Sequence, residues 1–259
     1  MKIACEPLHA QMNLPDYSLA VVNTTRDDRN GLQLRSRIVS LDNLMLADET
    51  VRVDAPKNST TTLAPLNGFA AALASEGTVL VKLTLTAENR DPMSDNTYWQ
   101  AITPDRQRSL DALHPASIKF SAWGKESSDD EIITARVLNA GRSPLLNAKL
   151  TALDGSSNRV LPVYYSDNYV SLLPGETREM TITRPHTSEH CARLALRGWN
   201  LPTREISVSV GHHDEHPLQR IGEGSLDSPR YLVEAKFKDY TYRFFTNHLK
   251  ELLPNPEKY

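Results

Sequence analysis

The residues of this chain best suited to chemistry lie in one run, Tyr164-Tyr165-Ser166-Asp167-Asn168-Tyr169, where tyrosines flank a carboxylate and an amide. Aromatic rings offer flat apolar faces on which sugar rings stack, and a nearby carboxylate and amide bind hydroxyls. Tyr165, Asp167, Asn168 and Tyr169 are therefore candidate sugar-contacting residues. The same composition also fits a plainer role, in which alternate tyrosines fill a core and Asp167-Asn168 closes a turn on its own backbone.

The cluster His212-His213-Asp214-Glu215-His216 is the one grouping of metal-type ligands. His212, His213 and His216 are weak candidates, because their order lacks the two-histidine helical spacing of zinc hydrolases and nothing orients the rings. A solvated linker is the reading we favour, and no cofactor is expected. Splitting a glycosidic bond with retention needs two carboxyl groups about 5 Å apart on rigid strand ends. The acidic residues here fall in turns and on the polar side of alternating strands, and Glu6, Glu176 and Glu179 read as turn or surface residues. The chain also lacks a phosphate-binding glycine loop, a Gly-x-Ser-x-Gly elbow and a cysteine–histidine pair close in sequence. Trp99, Trp123 and Trp199 are expected in cores or at a domain interface.

The elements that would carry these residues are strands. Leu32 to Ile38, Val79 to Leu85 and Ile206 to Val210 alternate apolar and polar residues with a period of two, and turn residues such as Gly141 to Pro144, Asp154-Gly155 and Pro174-Gly175 separate such runs. Glu131 to Asn139 and Leu146 to Leu153 read as neighbouring strands. Two sets of strands, each near the roughly 100 residues of an immunoglobulin-like sandwich, predict an all-β chain of two tandem sandwiches over 1–102 and 115–210. Residues 103–114 are a charged connector beginning Thr103-Pro104, with room for a short helical turn. Residues 211–259 form a C-terminal extension with both hairpin and helix signals.

A chain of 259 residues with 39% hydrophobic and 24% charged residues is that of a globular protein. The net charge of −3 and the scattered Lys and Arg argue against nucleic acid and anionic membrane as partners. No apolar run approaches the roughly 20 residues of a membrane span, and no signal-peptide core follows Met1, which leaves the compartment open. Cys5 and Cys191 are expected to be free. Asn23-Thr24-Thr25 and Asn58-Ser59-Thr60 fit the glycosylation pattern, which is common by chance.

Glu6-Pro7-Leu8-His9-Ala10-Gln11, Tyr98-Trp99, the run Leu161 to Glu176 and Leu196-Arg197-Gly198-Trp199-Asn200 occur in an order and spacing that resemble the C-terminal immunoglobulin-like domains of family-two glycoside hydrolases. The exo-β-glucosaminidase and β-mannosidase type is the nearest branch. The resemblance spans about residues 5 to 210. It implies a non-catalytic accessory region of a retaining exo-β-glycosidase, in which Glu6-Pro7-Leu8-His9 is where the chain leaves a (β/α)8 barrel that bears the catalytic glutamates. No residue here matches the motifs of those glutamates, so none is assigned a catalytic role. The partner implied is that barrel, together with an oligo- or polysaccharide, and parents of this type are often secreted or periplasmic. The competing expectation is a free-standing carbohydrate-binding or adhesion module.

Overall fold

The computed structural model describes residues 6–14, 16–88, 92–126, 130–185 and 191–210. All of them belong to one compact unit. The histidines 212, 213 and 216 and the C-terminal extension lie outside the described residues.

The first sandwich faces a three-stranded sheet against a four-stranded one. The smaller sheet orders β1 (Leu8–Met12), β2 (Ser18–Asn23) and β5 (Ser59–Pro65) as β1-β2-β5. The larger runs β4-β3-β6-β7, from β3 (Arg29–Ser40), β4 (Met45–Ala55), β6 (Thr78–Thr86) and β7 (Pro92–Ala101). All of these pairs are antiparallel. The period-two pattern of β3 and β6 sends Leu34, Ile38, Val79, Val81, Leu83 and Leu85 into one core. A helix, α1 (Phe69–Glu76), interrupts the strands. Its alanine-rich run favours helix, and Gly77 ends it at a φ of 74° with its N–H donated to Leu73 O.

A 3-10 helix, Pro104–Ala112, leads to the second sandwich. There β8 (Ile118–Glu126), β9 (Asp130–Asn139), β11 (Tyr164–Tyr165), β13 (Thr177–Pro185) and β16 (Ser209–Val210) make a five-stranded sheet ordered β11-β13-β9-β8-β16. The facing sheet is β12-β10-β14-β15, from β10 (Leu145–Leu153), β12 (Val170–Leu172), β14 (Arg193–Gly198) and β15 (Leu201–Ser207). The fold is thus a tandem of immunoglobulin-like sandwiches.

One pairing expected from sequence is corrected. β9 and β10 belong to opposite sheets and face each other across the core through Ile133, Ala135 and Val137 on one side and Leu145, Ala148 and Leu150 on the other. Each strand carries a full apolar face, so packing those faces together buries more than edge pairing would. Buried Asn139 ties the crossover, donating from Nδ2 to Ser143 O and Leu172 O, both at 2.9 Å.

Candidate functional site

The second sandwich sits on the outer face of the sheet β4-β3-β6-β7. Val39 and Leu80 from that face meet Leu146 and Leu173 from the second sandwich and Leu110 from the 3-10 helix in a separate apolar core, with Trp99 packed against it. Beside this patch the same strands present Arg37, Lys82 and Asp95. Lys82 is 2% exposed, so its ammonium requires partners. They come from both sandwiches: Glu176 Oε2 at 2.5 Å and Asp95 Oδ2 at 3.3 Å. Arg37 donates to the other oxygen of Glu176 at 2.8 Å, and the Leu173 N–H donates to Oε2 at 2.9 Å. Arg178 hydrogen-bonds Asp95 and lies 3.8 Å from Asp167.

Glu176 is a turn residue as expected, its N–H closing the turn on Leu173 O at 3.0 Å, but its side chain is not a surface one. The Pro174-Gly175 turn places it at the boundary between the sandwiches, where it neutralises two cations of the first. Burial pushes its carboxyl up, but the Lys82 ammonium, the Leu173 N–H and Arg37 outweigh that and hold it below the usual range. Glu179, three residues on, is exposed and pairs loosely with Arg136 at 3.6 Å.

A cleft of about 340 Å³ opens beside this network, lined among others by Asp95, Trp99, Asn147, Asp167, Tyr169 and Arg178. Three of the four sugar-contact candidates, Asp167, Asn168 and Tyr169, are in its wall. Asn168 is tied to β10: its side-chain oxygen accepts from Leu150 N–H at 2.8 Å and Tyr169 N–H at 3.0 Å, and its Nδ2 donates to Leu150 O at 3.1 Å. Those bonds hold Tyr169 at a φ of 62°, with the residue 57% exposed and the Lys149 ammonium 5.5 Å from its ring centroid. The Asp167 side chain is nine-tenths buried, and its Oδ1, like Asp95 Oδ1 and Arg178 Nε, has no hydrogen-bond partner among the described residues. Burial pushes the Asp167 carboxyl up, with Arg178 opposing. Glu6 is raised by burial and then by the Asp167 charge.

Tyr165 lies elsewhere. It packs against the second core and its hydroxyl accepts the Ala152 N–H at 3.0 Å. Trp199, expected in a core or an interface, is 55% exposed, and only its indole N–H reaches inward, to Leu110 O at 3.2 Å. Cys191 is free and fully buried, with burial pushing its thiol up to about 11. Asn23, at 0% exposure and hydrogen-bonded to Ala55 O, is closed to glycosylation. Among the described residues no group of three His, Cys, Asp or Glu converges as a metal site, and no helix is long and apolar enough to cross a membrane.

Sequence reasoning missed Arg37, Lys82, Asp95 and Arg178, because charges at outward positions of alternating strands look solvated. One hint was present: Leu80 shares the outer face of β6 with Lys82, and an apolar residue there marks a face that something covers.

Residues 16–101 match the model of the mannosidase Ig/CBM-like domain, and residues 96–201 match that of the exo-beta-D-glucosaminidase Ig-fold domain. An exo-beta-D-glucosaminidase of Streptomyces avermitilis is 29% identical over 240 residues, covering 80% of this chain and 26% of that protein. A mannosylglycoprotein endo-beta-mannosidase of Lilium longiflorum is 22% identical over 267 residues, covering 80% and 28% respectively. The crystal structure of the exo-chitosanase CsxA of Amycolatopsis orientalis superposes with a TM-score of 0.71 at 23% identity, over 80% of this chain and 27% of that one. The fold and the matched models give the class, a tandem of immunoglobulin-like domains similar to those of glycoside hydrolases. More particularly, the first is similar to the mannosidase Ig/CBM-like domain and the second to the exo-beta-D-glucosaminidase Ig-fold domain. The chain spans about a quarter of the length of the curated relatives it matches.

Proposed function

We propose that this chain is the non-catalytic accessory region of a retaining exo-β-glycosidase, with residues 1–102 and 115–210 as its two modules, 103–114 as the connector and 211–259 as an extension. It supports a catalytic (β/α)8 barrel, and the Asp167-Asn168-Tyr169 loop contributes to the rim of that barrel's sugar pocket. The observation that carries this reading is the placement of Glu6. Its carboxyl feels the charges of Asp167 and Arg178, two residues that line the cleft. A barrel joined to the chain ahead of Glu6 therefore emerges on the side of the Asp167-Asn168-Tyr169 loop, where a tyrosine face, a carboxylate and an amide line one cleft.

The ionic network supports the same reading. A rim residue contributes to a pocket only if its position relative to the barrel is constant, and the Lys82–Glu176 and Arg178–Asp95 contacts tie the loop-bearing sandwich to the one that follows Glu6. The test is turnover of nitrophenyl β-glucosaminide and β-mannoside. The chain alone should show none, while the chain joined to a barrel-bearing portion should show turnover whose KM rises in Asp167→Ala. Clear turnover by the chain alone rejects the reading.

A further inference from the structure

We propose that the groove around Trp199 is a second saccharide site, separate from the cleft at Asp167, and that it takes a neutral pyranose unit of a β-linked oligosaccharide on the face of the indole. The groove holds about 460 Å³ and is lined among others by Leu110, Asp111, Arg197, Trp199 and Thr203. That is the size range of small-ligand sites, and a sugar ring needs what is present here: one flat apolar face and a mixed set of donors and acceptors around it.

Single exposed aromatic residues are ordinary on protein surfaces, so exposure by itself decides nothing. Trp199 differs in being immobilised. Its indole N–H donates to Leu110 O at 3.2 Å, and its backbone N–H donates to Leu146 O at 2.8 Å. On one side, Gly198 is so close to the neighbouring strand that a Cβ there would lie 2.9 Å from Leu146 O. On the other, buried Asn200 accepts the Leu146 N–H and donates to His114 O at 2.9 Å and Pro144 O at 2.8 Å. One bond thus holds the ring and the others fix the backbone that carries it, while the residue remains more than half exposed. Binding to such a platform costs little side-chain entropy, which is the condition for useful affinity from a small contact.

The groove's exposed polar groups are one carboxylate, Asp111, one guanidinium, Arg197, and the Thr203 hydroxyl. Their charges cancel, which suits a neutral sugar better than a charged one. The site is also placed apart from the first cleft on the same sheet. Arg197 is directly opposite Lys149 in the β10–β14 register, and Lys149 in turn reaches over Tyr169. Two strand spacings, roughly 10 Å, separate the strand that follows Tyr169 from the strand that leads to Trp199.

The test is titration of the full chain with N-acetylchitotriose and with mannotriose, followed by tryptophan emission and calorimetry. The expected result is saturable binding of at least one of them, with little change between low and high salt. Trp199→Ala should weaken it about tenfold or more, the loss expected of a stacking contact. Trp199→Phe should weaken it less, since a flat ring remains, and Tyr169→Ala should leave it unchanged. Thr203→Val, at an exposed strand position, should weaken binding several-fold even if the tryptophan variants fail to fold. Absence of saturable binding to both sugars overturns the proposal, as does binding that survives Trp199→Ala. Binding lost in Tyr169→Ala and intact in Trp199→Ala also overturns it and assigns the sugar to the Asp167 cleft. None of these outcomes touches the accessory-region reading, which stands or falls on turnover.

Discussion

Glu176 carries two cations on one carboxylate, and one of them, Lys82, has almost no access to water. Removing its charge leaves Lys82 with Asp95 alone and Arg37 with none of its charge-assisted bond to Glu176. Glu176→Gln should therefore lower stability by about 2–3 kcal/mol in urea unfolding, the scale of a charged hydrogen bond lost from a half-buried site. Glu179→Gln, at an exposed pair, should change it by less than about 0.5 kcal/mol. Acid separates the two further. Because the folded-state carboxyl of Glu176 titrates below the usual value, its contribution is complete above about pH 4.3, where an unfolded glutamate is ionised, and is lost as pH falls through the folded value. Glu6 and Asp167 run the opposite way: their raised carboxyls hold protons more tightly in the folded chain, so acidification favours the fold through them. The stability gap between wild type and Glu176→Gln should accordingly be constant above about pH 4.3 and close below it. A gap that widens on acidification would contradict the assignment.

At the scale of elements, the loop before β12 owes its form to one side chain. Asn168 replaces the missing strand partner of β10, taking the Leu150 N–H and returning a donor to Leu150 O. Asn168→Ala leaves these backbone groups and the Tyr169 N–H without side-chain partners. The expected loss is about 1–3 kcal/mol of stability, together with faster hydrogen exchange at Tyr169 and Leu150 and little change in β8 or β9. Equal acceleration throughout the sheet would show that the loop is held by something else. The strands themselves were legible from sequence, since period two and turn residues mark β3, β6, β9 and β10. Two features were not. The helix α1 lies among strands, and its alanine-rich run gives little contrast between the face that buries Phe69, Ala72 and Leu73 and the rest; β9 and β10 read as neighbours although they cross between sheets, because alternation gives a strand two faces without naming what each face meets.

Across the molecule, the two sandwiches are joined by an apolar core of Val39, Leu80, Leu110, Leu146 and Leu173 and by the charge network beside it. A boundary of this composition couples the folding of its two sides. Amides of β3 and β9 should therefore exchange through a common opening with the same free energy, and Leu80→Asp, which places a carboxylate in the apolar patch, should separate them. Distinct exchange free energies in the wild type would refute the coupling. The sequence by itself determined that this chain is built of sandwiches, and its motifs carried the resemblance to glycosidase domains, because alternation and turn chemistry are local and survive in one dimension. It also singled out Asp167, Asn168 and Tyr169 as a group, being contiguous. Only the tertiary structure decided that Tyr165 enters the core while Tyr169 faces a cleft, that Glu176 meets Lys82 across 94 positions, and that Trp199 stands exposed on a fixed base. Each of those depends on which second surface covers a given face, and that is a property of packing between distant segments.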